Sequence, residues 1–269
     1  MFGQHRNGSI LLVCAAVHSL MASVGNSRIE QVLSEAELER ANRFQFPTLR
    51  DQFVAGRYFL RQLLGYELGI EAAEVEFSKG ANGKPVIANR QKLDLQFSFS
   101  RSDRFAVVGV TRGSRIGVDV ELIRKIPDMD LVAREIFSRL QLEQWQSISE
   151  SERELAFLRS WTRKEAIAKV DGRGISNGVQ NIDVPIGDLN GFGATVSCPV
   201  DSKRPGDSVH VACLSEWHPT GETIVNVAIE SDTSAAGRLD FSYRDEEAQF
   251  DRKFDVETMA TVRRFFLEG

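Results

Sequence analysis

Arg115-Ile116-Gly117-Val118-Asp119-Val120-Glu121 decides the fold, read together with Trp161-Thr162-Arg163-Lys164-Glu165 further along the chain. In the first run Ile116, Val118 and Val120 alternate with Gly117, Asp119 and Glu121. A strand sends successive side chains to opposite faces, so the two acids share one face and the apolar residues cover the other. Adjacent carboxylates repel unless a cation or a proton lies between them. In the second run Leu155, Leu158, Trp161, Glu165 and Ala168 follow helical spacing, which puts Glu165 on an apolar, core-facing stripe. A charge withdrawn from water must be paired, protonated or metal-bound. Three such carboxylates point to one hard divalent cation held by oxygen.

Outward from these runs the pattern is mixed. Residues 10–17 read as a buried strand. A helix runs from Ser34 to Phe44, opened by the capping-box pair Ser34 and Glu37, and a longer one from Thr48 to Leu68 ends at Gly69. Short strands follow at 75–77, 85–88 and 95–98, the first two separated by Ala81-Asn82-Gly83-Lys84-Pro85. Residues 104–111 and 116–121 read as a hairpin about Arg112-Gly113-Ser114. Helices are expected at 131–137 and 141–148, and Ser151 with Glu154 caps the helix carrying Glu165. Strands at 193–197, 209–214 and 224–229 complete an α+β order rather than a βαβ repeat. Residues 231–269 read as a polar appendage with a short helix from Val256 to Leu267.

Composition narrows the function. The 269 residues suffice for one large domain or two modest ones. A net charge of −5 argues against a general nucleic-acid binder. Cys14, Cys198 and Cys213 are too scattered for a disulfide framework or a metal site, which suits a reducing cytoplasm. The apolar run from Ile10 to Val17 is too short to span a membrane. The four histidines form no cluster with acids or cysteines, against a Ser-His-Asp, Cys-His or zinc mechanism. There is no P-loop and no dinucleotide fingerprint.

Beside the acids lie cations: Lys164, Lys169 one turn beyond Glu165, Arg57 on the apolar face of its helix, Lys84 in a Gly-Lys-Pro turn, and Arg101 within Phe97-Ser98-Phe99-Ser100-Arg101-Ser102. Acids with a metal, surrounded by Lys and Arg, suit a pyrophosphate or polyphosphate substrate. Plainer readings exist for each. Lys84 also fits a solvated turn, Arg61 an exposed helix position, Arg57 a stem lying along the core, and Lys169 an ordinary partner of Glu165. Asp119 and Glu121 also fit an exposed polar strand face. The chain offers no obvious nucleophile of its own, so an acceptor group would belong to another molecule.

Gly117-Val118-Asp119-Val120-Glu121 followed by Trp161-Thr162-Arg163-Lys164-Glu165-Ala166-Ile167-Ala168-Lys169 resembles the two hallmark motifs of Sfp-type 4′-phosphopantetheinyl transferases. Residues 50–65, Asn82-Gly83-Lys84-Pro85, the segment 97–102, Ile136-Phe137-Ser138 and Asp171-Gly172-Arg173-Gly174-Ile175 fall in the family's order, so the resemblance covers about residues 10–230. It implies an α+β fold of two similar halves related by a pseudo-twofold, with the active site between them. The halves would be 1–111 and 112–230, followed by the extension 231–269. It also implies a cytoplasmic monomer that moves the phosphopantetheine arm of coenzyme A onto a serine of an apo acyl or peptidyl carrier protein. The by-product is adenosine 3′,5′-bisphosphate. Neither nucleic acid nor membrane is an expected partner.

By the same resemblance Asp119, Glu121 and Glu165 are ligands of Mg²⁺, or of Mn²⁺ in its place. Lys84 and Pro85 form the turn against the nucleotide. Ser100, Lys164, Lys169, Arg57 and Arg101 contact coenzyme A. Glu165 acts as base and Lys169 assists the leaving bisphosphate. Two departures stand out: Arg101 replaces the family's usual His, and Gln141 stands where the family often has Glu, unless Glu143 substitutes for it. Two other readings are a non-catalytic coenzyme A-binding or carrier-docking module and a magnesium-dependent phosphohydrolase. The latter needs a water-activating residue, and none is evident. Carrier proteins are commonly acidic, and Arg124, Lys125, Arg134 and Arg139 make the segment from Ile126 to Leu142 the expected docking face.

Overall fold

The computed structural model describes residues 9–80, 83–88, 94–172, 179–187, 194–198, 210–231, 240–246 and 260–268. Ala81, Asn82 and the run 173–175, named above in family motifs, lie outside them, as does most of the proposed extension. The first part of the chain forms β1 (Ser9–Ala16), α1 (Val17–Val24), α2 (Asn26–Val32), α3 (Glu35–Asn42), α4 (Pro47–Leu68), β2 (Phe77–Lys79), β3 (Pro85–Ile87), β4 (Leu95–Ser102) and β5 (Phe105–Arg112). Next come β6 (Ile116–Leu122), α5 (Met129–Ile136), α6 (Arg139–Gln146) and α7 (Glu150–Asp171). The remainder is β7 (Ala194–Cys198), β8 (His210–Trp217), β9 (Thr223–Ser231), β10 (Asp240–Glu246) and β11 (Ala260–Glu268).

The fold is α+β. A five-stranded sheet has the order β10-β11-β1-β5-β4, a four-stranded sheet the order β6-β9-β8-β7, and β2 pairs with β3 alone. Every pairing is antiparallel. The continuous apolar run of β1 follows from its place in the middle. Leu11, Val13 and Ala15 pack with Phe59, Leu60 and Leu63 of α4. Ile10, Leu12 and Cys14 pack with Val118, Val120 and Val227 of the second sheet. A strand buried on both faces has no polar side to show, and each such side chain adds about 1.5–3 kcal/mol. Behind the second sheet, Ala166, Ile167 and Val170 of α7 close on Ala228. The layers thus run α4, first sheet, second sheet, α7.

Two glycines set the spacing of these layers. A Cβ on Gly117 would lie 1.9 Å from the Ala166 carbonyl oxygen, so α7 rests on the bare backbone of β6. A Cβ on Gly109 would lie 2.6 Å from Val118 Cγ1, where the two sheets touch. Helix α4 starts with Pro47, whose fixed φ suits a first helical position, and stops at Gly69 with φ 69°.

The structure corrects several expectations. Strands β5 and β6 form no hairpin, because β4 and β1 already occupy both edges of β5. Residues 113–115 instead hand the chain to the second sheet, where β6 pairs with β9. Helix α7 begins at Glu150, and Ser149 Oγ donates to Glu152. Glu154, expected as its capping acid, accepts from Ile126 N at 2.9 Å. Ala260–Glu268 is a strand rather than a helix, with Ser9 paired to Phe266 and Ala15 to Ala260. The edge of β1 supplies a template of unpaired backbone groups, and Thr261, Val262, Phe265 and Phe266 are strand formers. The described part of the appendage therefore completes the first sheet.

Candidate active site

Strand β4 alternates as strictly as β6. Phe97, Phe99 and Arg101 line a cavity on the α4 side, while the intervening serines reach β6. Ser98 Oγ accepts from Val118 N at 3.0 Å, Ser100 Oγ donates to Asp119 Oδ1 at 2.7 Å, and Ser102 Oγ donates to Glu121 Oε2 at 2.7 Å. These strands belong to different sheets, so a ladder of hydroxyls at two-residue spacing replaces backbone pairing between them.

Asp119 is 4% exposed, and its Oδ1 also accepts from Lys169 Nζ at 2.6 Å. Lys169 Nζ donates in addition to Ser100 Oγ at 2.8 Å. Asp119 Oδ2 is buried with no hydrogen-bond partner. Glu121 Oε1 accepts from Trp161 Nε1 at 3.2 Å, and its carboxyl is held above its ordinary pKa by burial and by the charge of Asp119. Glu165 reaches the same place from α7, four residues before Lys169. Burial and the charges of Asp119 and Glu121 raise its pKa to about 7, against the pull of Lys169.

Among the described residues no three His, Cys, Asp or Glu side chains converge into a finished cation cage. The donor set nevertheless fits a hard divalent ion. It consists of carboxylate oxygens alone, the charge of Asp119 raises the pKa of both glutamates, and one buried oxygen of Asp119 is unsatisfied. The Lys169 ammonium supplies part of the missing positive charge.

Lys169 is also where this cluster meets a cavity of about 640 Å³. Six cations line it (Arg40, Arg57, Lys79, Lys84, Arg101 and Lys169), together with Phe53, Phe77, Phe97, Phe99 and Pro85. Among the described residues Glu37 is the one carboxylate on its wall. Arg57 is paired with Glu37 and lies 4.5 Å from the centre of the Phe77 ring. Arg101 leaves Nη1 buried without a hydrogen bond, and burial together with Arg40 lowers its pKa. Cations withdrawn from water, on a wall that also offers aromatic faces, call for an anionic ligand with an apolar part.

The structure therefore gathers Arg57, Lys84, Pro85, Arg101 and Lys169 around the cavity, and Asp119, Glu121, Glu165, Ser100 and Lys169 beside it. Lys164 does not join them. Neighbouring helical positions differ by about 100°, so the turn that aims Glu165 at β6 aims Lys164 toward residues 179–182. There it is 0% exposed and donates to the carbonyls of Val179 at 3.0 Å and Ile182 at 2.7 Å. Burial brings its pKa down to about 8. Arg61, read as an exposed helix residue, is 3% exposed and donates to Glu37 Oε2 at 2.7 Å and Val75 O at 2.9 Å. Glu37, Arg40, Lys79, Ser102 and Trp161 were not expected as site residues. Only the serines carried a usable signal, their spacing of two.

Residues 115–211 match the family model described as the 4′-phosphopantetheinyl transferase superfamily, and residues 26–112 match its N-terminal model, 4′-phosphopantetheinyl transferase, N-terminal. Two successive segments of the chain are thus similar to 4′-phosphopantetheinyl transferases. It is 37% identical over 155 residues to the 4′-phosphopantetheinyl transferase HetI of Nostoc sp., covering 57% of this chain and 65% of the relative. It is 24% identical over 151 residues to the 4′-phosphopantetheinyl transferase Sfp of Bacillus subtilis, covering 56% and 65%. The human L-aminoadipate-semialdehyde dehydrogenase-phosphopantetheinyl transferase is 25% identical over 163 residues, covering 57% and 53%. The matched part spans less than two thirds of these relatives' length.

Gln141, the departure noted at a position where the family often has Glu, lies away from the acids. Its Oε1 accepts from Ser138 N at 3.2 Å, completing the cap of α6, and its Nε2 donates to Val184 O at 2.7 Å. A glutamate could keep the first bond but not the second. Glu143 is exposed and pairs with Arg139, so it does not stand in for a site carboxylate.

Proposed function

We propose that this chain transfers the 4′-phosphopantetheine arm of coenzyme A to a serine of an apo acyl or peptidyl carrier protein and releases adenosine 3′,5′-bisphosphate. The observation that carries this reading is Lys169, which lines the cationic cavity and at the same time bonds Asp119 in the acid cluster. An anionic cofactor in the cavity therefore abuts the carboxylates. The names of the relatives support the same reaction.

In this mechanism Arg57 and Arg101 bind phosphate oxygens, and the aromatic wall takes the apolar part of the ligand. Asp119, Glu121 and Glu165 hold Mg²⁺, or Mn²⁺ in its place. When bound, that ion neutralises pyrophosphate charge and stabilises what develops in the transition state. Glu165 takes the proton of the carrier serine, directly or through a metal-bound water. The serine oxygen bonds to the phosphorus of the pantetheine arm, the pyrophosphate P–O bond breaks, and Lys169 meets the charge on the departing bisphosphate. The acceptor serine comes from the partner. Exposed Leu131 and Leu140, with Arg124, Lys125, Arg134 and Arg139 also exposed, make this face suited to an acidic helical carrier. The chain acts as a monomer in the cytoplasm, in keeping with its few scattered cysteines.

The test is chromatographic release of adenosine 3′,5′-bisphosphate from coenzyme A with Mg²⁺, with and without an apo carrier. Release only with carrier is expected, and reversing the charge of Arg134 and Arg139 raises KM for the carrier. Release without carrier supports a phosphohydrolase. Coenzyme A binding without release supports a binding or docking module.

A further inference from the structure

Lys84 stands in the turn between β2 and β3, where Gly80 N donates to Lys84 O at 2.8 Å and Gly83 has φ 82°. Gly83, Lys84 and Pro85 line the cavity, but the Lys84 ammonium is held by backbone carbonyls. It crosses to the second sheet's side of the molecule and donates to Ile116 O at 2.9 Å and Lys169 O at 2.7 Å. Ile116 opens β6, the edge strand carrying Asp119 and Glu121, and Lys169 lies in the last turn of α7, the helix carrying Glu165. Carbonyls in the last turn of a helix lack intrahelical partners and sit at the negative end of its dipole, where an ammonium is favoured. One cation from the first part of the chain thus ties together the two elements that carry all three acids. It holds the backbone of the very residue whose side chain bonds Asp119.

We propose that Lys84 is a positioning residue for the transfer reaction, which sets the register of α7 against β6 through their backbones and does not act as a phosphate ligand. The inference rests on the proposed transfer activity only for its kinetic readout. Two substitutions test it: Lys84→Met, which keeps the stem and removes the donors, and Lys84→Arg, which keeps donors and charge. Three quantities are read on the full chain: hydrogen exchange, the equilibrium dissociation constant for coenzyme A, and steady-state kinetics with an apo carrier.

In Lys84→Met, amide exchange speeds up in peptides covering 116–122 and 165–172 and stays at the wild-type rate in β1 and α4. Coenzyme A affinity stays within about twofold, while kcat falls about tenfold to a hundredfold, the scale for small misplacements of reacting groups. Lys84→Arg restores most of both changes. Weakening of coenzyme A binding by about tenfold or more with kcat intact, as for a lost charge-assisted phosphate contact, overturns the proposal. Unchanged exchange in both peptides also overturns it. If the wild-type chain transfers nothing, the transfer reading fails, and the exchange pattern still decides whether Lys84 ties α7 to β6.

Discussion

Gly117→Ala places a methyl carbon 1.9 Å from Ala166 O, 2.8 Å from Val170 N and 3.0 Å from Ala166 C. An ordinary carbon–oxygen contact needs about 3.3 Å, so helix and strand must separate by well over 1 Å at this point. All three atoms are backbone, and no rotamer change relieves the clash. Overpacking typically costs about 1–3 kcal/mol, and a collision with a helix backbone belongs at the upper end, about 3 kcal/mol. With a urea dependence of about 1–3 kcal/mol per molar, the unfolding midpoint falls by about 1 M or more. Urea titration followed by tryptophan fluorescence and far-ultraviolet circular dichroism reads this directly. The same separation moves Glu165 away from Asp119, so transfer drops further than the loss of folded protein explains, by about a hundredfold. A midpoint within about 0.2 M of wild type, with activity intact, refutes the close packing of α7 on β6.

Three further perturbations probe other parts of the site. Gln141→Glu, a change toward the residue the family often has, removes the donor to Val184 O at a position 2% exposed. It lowers stability by about 2–3 kcal/mol in calorimetry while leaving coenzyme A affinity unchanged, and a faster enzyme of undiminished stability contradicts this. Ser102→Ala removes the donor to Glu121 Oε2 and weakens Mn²⁺ binding about tenfold in electron paramagnetic resonance titrations; unchanged affinity denies the serine its orienting role. Glu216 is pushed up by burial, but the hydrogen bond from His218 and the charges of Arg163 and Arg159 outweigh this and bring its pKa to about 2. The stability it contributes is present in full above about pH 4.5 and is lost as pH falls toward 2. Glu216→Gln therefore costs about 3 kcal/mol at pH 7 and markedly less at pH 3, and an equal deficit at both values rules this linkage out.

What could be read from the sequence is what neighbouring residues decide among themselves. The alternation of residues 116–121 places Asp119 and Glu121 on one face, helical spacing places Glu165 on the buried stripe, and Ser34 with Glu37 forms the capping box expected of them. What could not be read depends on segments far apart in the chain. The hairpin expected across Gly113 fails because β1, about a hundred residues upstream, already holds the free edge of β5. The helix expected near the C-terminus is a strand because β1 offers its other edge. Glu37 gives no hint in its own neighbourhood that Arg57 and Arg61 converge on it. Lys164 and Lys84 show the same limit in side-chain direction: one basic residue turns toward residues 179–182, and the other donates to the backbone carbonyls of Ile116 and Lys169. Motif matching assigned both to the ligand, whereas their hydrogen bonds tie them to the protein.

The most direct measurement is the intact mass of an apo carrier protein after incubation with this chain, coenzyme A and Mg²⁺, beside Glu165→Ala and a chelated control. The account predicts a gain of one phosphopantetheine arm that disappears in both controls. A carrier of unchanged mass across acyl and peptidyl classes, with coenzyme A bound to the chain, would contradict transfer and leave a binding module in its place.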